Sequence, residues 1–398
     1  MEFLSAMAAA LSRYGETADS LETGLQACAR TLGVEVAFFS VPTAVFVAYG
    51  HGAAMHTVLL HTRDSAIDLE ALSLLDETLL DVTHGRKSAA QGLAEVRLIT
   101  AHPLRFPWYM RVLASGMGAA AMSVFLGGGA REITAAIPVG LAVGALSVLA
   151  RRTERLTSLV ELLAGFVAAV LTLALGHALS PFHLATVVLA GVVLLLPGLS
   201  ITLGVSELAA RHLVSGSARL AGATVSLVSL GLGVAIGYAI LNKIDWVPPA
   251  GPGRETPGQW LTLLAVVASS AALLVVTNSR PRDVWVVLCA VAVAVYGARL
   301  GAWLLGPTVG VVIASLLLGL GSNLYARFSN RPAALPLVPG LAALVPGALG
   351  FRGISAFLRS ATGSLEILAA VLVIAASLVV GLLVADATLP ARRESFRG

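Results

Sequence analysis

The sequence predicts a polytopic α-helical membrane protein of about ten transmembrane helices, arranged as two inverted five-helix repeats behind a small N-terminal α/β domain. Three observations predict it. Of the 398 residues, 57% are hydrophobic and only 12% charged, against roughly 25% charged in a soluble domain. Beyond residue 107 the chain is a succession of apolar runs, each near the ~20 residues that cross a bilayer. One Pro-Gly motif occurs twice, 149 residues apart.

The charge is unevenly placed. Residues 1–107 hold 7 Lys/Arg and 12 Asp/Glu, whereas the remainder holds 19 and 10. The basic balance therefore belongs to the membrane part, where Lys and Arg set topology, and does not point to nucleic acid. Cys28 and Cys289 are the two cysteines, too few for a disulfide framework or a CxxC metal site.

Residues 1–107 read as an α/β domain on the cytoplasmic side. The stretch from Leu4 to Gly33 has apolar residues at helical spacing and a glycine stop. "VEVAFFS", "AVFVAYG" and "HTVLLHT" read as three strands, the first two a hairpin. Two amphipathic helices follow, and "HPLRFPWYMR" closes the domain with an interfacial Trp108–Tyr109 pair.

Ten spans come next: Met110–Gly129, Glu132–Ala150, Thr157–His177, Phe182–Leu203, Ala218–Leu241, Trp260–Thr277, Val284–Arg299, Gly301–Leu324, Leu335–Phe351 and Ser364–Asp386. They divide into a first repeat (108–243), an external Pro/Gly-rich linker (244–259), a second repeat (260–390) and a cytoplasmic tail (391–398). Alternate connections carry 12 basic residues on one side and 6 on the other, which puts both termini in the cytoplasm.

"LLPGLSITLGVS" from Leu195 and "LVPGALGFRGIS" from Leu344 share the pattern L-[LV]-P-G-x5-G-[VI]-S. Each lies in the fourth span of its half. Five is odd, so homologous halves insert with opposite orientation, as in secondary transporters. Pro197 and Pro346 each remove a backbone donor, and Gly198 and Gly347 permit non-helical dihedrals. Broken helices in a membrane line a polar cavity or are buried in protein. They can hold a carboxylate or an ammonium group; ordinary proline kinks are the alternative.

Ionisable groups inside spans are the candidates for chemistry. Glu207, just after the first motif, is the first candidate for proton coupling and Glu161 the second. Glu207 could instead begin an amphipathic helix and pair with Arg211. The hydroxyls of Ser200, Thr202 and Ser206 could bond an amino acid or back-bond to helix carbonyls. Arg219 could meet a substrate carboxylate or reach lipid phosphate. Arg352 could contact an anion or anchor the outer face. The spacing of His51, His56 and His61 does not suit a metal site. Neither a nucleotide loop nor a catalytic constellation is present, so no metal, cofactor or enzymatic activity is expected.

"LLPGLSITLGVSELAARHLVSGSARLAGA" resembles the signature segment of the threonine/serine exporter family. "LSRYGETADSLETGLQACARTLGV" resembles the start of that family's cytoplasmic domain, and "RFPWYMRVLASGMGAAAMSVFLGGGA" its first span. "LPLVPGLAALVPGALGFRGISAFL" resembles the exporter-like module that forms the second half in fused members. The resemblance implies a ten-span bacterial inner-membrane exporter of threonine and serine driven by the proton motive force. Its partners would be a small amino-acid substrate, protons and the lipid bilayer; self-association is left open. By motif it carries over Pro197, Gly198, Thr202, Gly204, Glu207, Ser215, Gly216 and Arg219, with Pro346 and Gly347 in the second module. Two departures are expected to matter: the chain begins close to the cytoplasmic domain, without the long leader seen in some members, and Arg131 stands where an acidic residue is expected. Relatives with split modules are associated with dicarboxylates, so succinate-like export is the alternative on this fold. A non-transporting membrane sensor with a ligand-binding N-terminal domain is the alternative of another class.

Overall fold

A computed structural model describes residues 1–50, 55–62, 67–179, 182–243, 258–329, 331–344 and 364–390. The N-terminal unit begins with α1 (Glu2–Arg13) and α2 (Ala18–Thr31). The sequence suggested one helical stretch here. The structure breaks it at Gly15, whose φ of +91° suits glycine, and Thr17 then caps α2. Three strands follow, β1 (Val36–Val41), β2 (Ala44–Tyr49) and β3 (His56–His61), in one antiparallel sheet of order β1-β2-β3. Val41 pairs with Ala44, so Pro42 and Thr43 form the tight hairpin turn. Alternation decides which face is buried: Val45 and Val47 are buried and Phe46 between them is exposed. Then come α3 (Leu69–Thr83), capped by Asp68, and α4 (Ala89–Ala101), opened by a Ser88–Gln91 capping box. Leu4, Met7, Leu21, Leu25 and Leu75 fill the core between helices and sheet.

The remaining helices are α5 (Trp108–Phe125), α6 (Ala130–Ala150), the short α7 (Glu154–Thr157), α8 (Val160–Ala178), α9 (Leu184–Gly191), α10 (Gly198–Ala209), α11 (Leu213–Asn242), α12 (Gln259–Val276), α13 (Val284–Leu305), α14 (Pro307–Ser329), α15 (Ala334–Leu344) and α16 (Ser364–Thr388). Among the described residues, six helices are long and apolar enough to cross a membrane, and seven spans result if α9 and α10 form one bent span. The protein is thus a polytopic helical membrane protein. Helices also cover the other three expected spans. α5 opens on Trp108, Tyr109 and Arg111, which lower its apolarity. α15 covers only the first part of the expected ninth span, whose remainder lies outside the described residues. The described part of α16 is a shorter apolar helix, Val373–Thr388. The expected seventh span is longer than its sequence reading, because the helix continues past Arg299 to Gly306 at φ +94°.

Close backbone approach fixes two helix pairs. A Cβ on Gly233 of α11 would lie 2.0 Å from the carbonyl oxygen of Leu162 on α8, and one on Gly165 would lie 2.2 Å from that of Leu230. A Cβ on Gly381 of α16 would lie 2.5 Å from the carbonyl oxygen of Val312 on α14. Small residues at such crossings are how membrane helices pack when lipid supplies no hydrophobic drive. The C-terminal ends of α14 and α16 meet where Asn323 donates to Asp386 at 2.7 Å and to the Leu389 carbonyl at 2.9 Å. Leu335, at the start of α15, belongs to the core of the N-terminal unit. That unit therefore sits on the end of the helix bundle where α10 stops, α11 starts and α12 connects to α13.

Candidate functional site

The broken span is built by sequence. α9 ends at Gly191, a single 3-10 turn covers Val193–Leu195, and Leu196 is extended at ψ 127°. Pro197 (φ −78°, ψ 41°) has no N–H to continue a helix, so α10 starts afresh at Gly198, and the segment Val193–Ala209 is bent by 50° from α9. Leu194, inside the break, packs against the cluster of Val266, Leu273, Val287 and Val291, as do Ala342 and Ala343 at the end of α15. Leu199, just after it, packs against the cluster that contains Leu341 and that Leu344 also joins. The first Pro-Gly break thus shares its apolar clusters with the residues that precede the second Pro-Gly motif. Pro346, Gly347 and Arg352 themselves lie outside the described residues.

The start of α9 is held by a group that sequence reasoning missed. Glu132, 7% exposed, accepts from the Gly129 N–H and from the His183 N–H, both at 2.9 Å. One carboxylate therefore caps α6 and tethers the first half of the broken span. Glycine followed three residues later by glutamate is a capping-box spacing, and that was the available signal.

α10 carries the other expected residues. Thr202 is fully buried and its hydroxyl donates to the Gly198 carbonyl at 3.1 Å, the back-bonded outcome. Ser200 and Ser206 are half-buried on the same helix. α10 stops at Ala209, and Arg211 at φ 70° turns the chain into α11. The two helices touch at Gly204 and Gly216, where a Cβ on Gly216 would lie 2.6 Å from the Gly204 carbonyl oxygen. Ser215 is buried beside this crossing, and its hydroxyl has no hydrogen-bond partner among the described residues.

That close crossing lets Arg219 of α11 reach Glu207 of α10. Arg219 Nε donates to both carboxylate oxygens at 3.0 Å. Glu207 is 3% exposed, so the pair stands in a low-dielectric setting where each charge needs the other. The N-terminal unit closes over it. The Ala18 N–H, at the start of α2, lies 3.4 Å from Glu207 Oε1, and Arg219 Nη2 lies 3.5 Å from the Glu16 carbonyl oxygen. A helix N-terminus favours a carboxylate there. His212 faces Asp19 at 3.5 Å on the rim. Beside it, burial pushes the Glu22 carboxyl up despite a 2.7 Å bond from the Ser40 N–H. The pairing with Arg211 weighed from sequence is replaced by this longer-range one. Glu207 stands ten residues beyond Pro197, about 15 Å along a helix rising 1.5 Å per residue, so the pair sits at the mouth below the break. Glu161 lies apart, in the first turn of α8, half-buried, with the Ser226 hydroxyl 3.5 Å away.

The same unit grips the second half of the chain. Asp68 accepts from Asn278 Nδ2 at 2.7 Å and from the Ala71 N–H at 2.9 Å, and the Leu69 N–H donates to the Thr277 carbonyl at 2.9 Å. Burial raises the Asp68 carboxyl above its ordinary range. Glu70 takes Arg105 Nε at 2.7 Å and faces Arg280 at 3.4 Å; the Arg105 hydrogen bond holds its carboxyl below the ordinary range.

A sequence model of the threonine/serine exporter family (ThrE) matches residues 2–241, and a second threonine/serine exporter model matches residues 261–388. The chain belongs to the threonine/serine exporter family. The first of these models is described as "Putative threonine/serine exporter". An uncharacterized protein of Schizosaccharomyces pombe is 26% identical over 383 residues, 91% of this chain and 45% of that protein. Pheromone-regulated membrane protein 10 of Eremothecium gossypii is 24% identical over 361 residues, 88% of this chain and 48% of its own length. Its namesake in Candida albicans is 24% identical over 366 residues, 88% of this chain and 33% of its own length. The chain spans less than half the length of these fungal relatives. No solved structure matches it.

Proposed function

We propose that the protein exports small hydroxy amino acids, threonine and serine, in exchange for protons. The observation that carries this reading is the first broken span, whose unwound segment shares two apolar clusters with the residues leading into the second Pro-Gly motif. Two half-helices abutting at a repeat interface is the arrangement in which transporters hold amino-acid carboxylates and ammonium groups. Ser200 would offer a hydroxyl there and Thr202 the lone pairs of a hydroxyl whose proton goes to Gly198; the resemblance adds Pro197 and Gly198, with Pro346 and Gly347 outside the described residues. The inverted repeat is supported by matching pairs: α8 seals against α11 in the first half as α14 does against α16 in the second.

Glu207 would carry either a proton or a substrate ammonium, and that competition couples export to proton entry. Gly204 and Gly216 permit the crossing, Arg219 pairs with the carboxylate between cycles, and Ser206 and Ser215 flank the route. Glu161 is the second proton candidate. Engagement of Arg219 by Glu207 favours an amino acid over a dicarboxylate, which would need that cation unpaired. The basic excess of the connections on the N-terminal side supports cytoplasmic termini. The resemblance to fused exporters supports a bacterial inner membrane, an assignment the fungal relatives do not carry. The purified full chain in liposomes, loaded with threonine, serine or succinate, tests the substrate. Exchange of threonine and serine is expected; exchange of succinate alone would overturn the reading.

A further inference from the structure

The N-terminal unit meets the membrane helices through two unequal contacts. On the α12–α13 side the bonds are short. Asp68 takes Asn278 Nδ2 at 2.7 Å, the Leu69 N–H meets the Thr277 carbonyl at 2.9 Å, and the Arg105 N–H meets Asn278 Oδ1 at 3.1 Å. Apolar packing backs them: Leu335 of α15 is buried in the unit's own core, with Tyr325 of α14 against it. On the α10–α11 side the contacts are polar and long. The Ala18 N–H lies 3.4 Å from Glu207 Oε1, Arg219 Nη2 lies 3.5 Å from the Glu16 carbonyl oxygen, and His212 Nε2 lies 3.5 Å from Asp19. A good N–H···O bond measures roughly 2.7–3.2 Å. Among the described residues, none of α10 or α11 joins the unit's core.

The loose side lies over the Glu207–Arg219 pair. The residues that make it belong to the turn between α1 and α2, bent at Gly15, and to the first turn of α2. Long polar contacts exchange for water at little cost. One side of the unit can therefore lift while the short bonds and buried Leu335 keep the other in place. We propose that the N-terminal unit is a hinged lid on the Glu207–Arg219 site. Its hinge is the Asp68–Asn278 side, and the start of α2 lifts to admit solute from the unit's side of the membrane. The role of the site rests on the transport reading above; the motion rests on the contacts alone. The Ala18 amide reports it. In the first turn of α2 that N–H has no helical carbonyl to meet, so Glu207 is its acceptor when the lid is down.

The test uses the full chain in liposomes. Cys289→Ser removes the exposed cysteine, and Cys28 is buried. Asp19→Cys and His212→Cys are then added and joined by a short bis-methanethiosulfonate, which reductant removes. Exchange is followed for whichever of threonine, serine and succinate the wild type carries. Bridging should cut it at least tenfold and reductant should restore it, while each single-cysteine protein ignores the reagent. Hydrogen exchange, corrected for intrinsic rates, should be at least tenfold faster at Ala18 than at Leu69 in the wild type. Bridging should slow Ala18 and leave Leu69 unchanged. Undiminished solute exchange by fully bridged protein overturns the proposal, and so do equal rates at Ala18 and Leu69. Failure of the two cysteines to bridge overturns it too, since the lid would then not rest on α11. A wild type that carries none of the three solutes overturns the transport reading alone, and the two amide rates then decide the lid.

Discussion

Replacing Asp68 by alanine removes two acceptors at one stroke. Its carboxylate caps α3 through the Ala71 N–H at 2.9 Å and takes Asn278 Nδ2 at 2.7 Å. Loss of an N-cap costs about 1 kcal/mol. Asn278 is 4% exposed, and leaving a buried amide donor unpaired costs a further 1–3 kcal/mol or so. The two together give about 2–4 kcal/mol. Ser88→Ala is the internal control: Ser88 caps α4 through the Gln91 N–H at 3.3 Å, but in an exposed setting, so it should cost only about 1 kcal/mol. Hydrogen exchange at the Leu69 amide reads the docking directly, because that N–H donates to the Thr277 carbonyl across the junction. At tenfold per 1.4 kcal/mol, exchange there should quicken ~30- to 700-fold in Asp68→Ala. Ser88→Ala should leave it unchanged. An unaltered Leu69 rate in Asp68→Ala, or equal acceleration by the two variants, would refute the claim that Asp68 fastens the N-terminal unit to the α12–α13 connection.

Further tests address packing, pH and the tether. Gly233→Ala should lower the melting temperature in detergent, because its Cβ would lie 2.0 Å from the Leu162 carbonyl oxygen and overpacking costs about 1–3 kcal/mol. Gly222→Ala on the same helix meets nothing within 4 Å and should be neutral or stabilising through helix propensity. The Glu70 carboxyl is held low by Arg105, so its contribution is complete above the ordinary glutamate range and lost as pH falls through the lowered value. Asp68 has the opposite sign: raised by burial, it contributes fully below the ordinary aspartate range, and that contribution is lost as pH rises through its folded value. Acid titration of the Leu69 exchange rate should therefore lose its Glu70 component in Glu70→Gln. Glu132→Ala should leave the His183 and Gly129 amides unpaired and speed their exchange by tenfold or more, at about 1–3 kcal/mol each; unchanged exchange at His183 would remove Glu132 as the tether of α9.

Much of the architecture was legible in the sequence because it rests on local pattern. Apolar run length marked the membrane helices, and short β-branched and aromatic runs bounded by proline and glycine marked the three strands. Pro197 marked the break between α9 and α10, since a missing donor acts wherever the residue sits. Contacts between distant segments were not legible. Asp68 meets Asn278 across 210 residues, and no local periodicity encodes that pairing. The partner of Glu207 was hidden for a similar reason. Helical spacing offers Arg211 as an alternative, but α10 ends at Ala209 and the turn at Arg211 discards that register, so Arg219 arrives from the next helix. Glu132 escaped notice because its role depends on His183, brought alongside only when α9 packs on α6.

The central claim is that Glu207 couples threonine export to protons. Uptake of labelled threonine by proteoliposomes of the full chain, driven by an imposed pH gradient, tests it when compared between wild type and Glu207→Gln. The account predicts gradient-driven threonine flux in the wild type. In the variant it predicts a loss of at least tenfold in the gradient-driven component, with threonine–threonine exchange weakened as well, because the same carboxylate holds the substrate ammonium. Equal gradient-driven flux in the two proteins, or no threonine flux in the wild type, would contradict it.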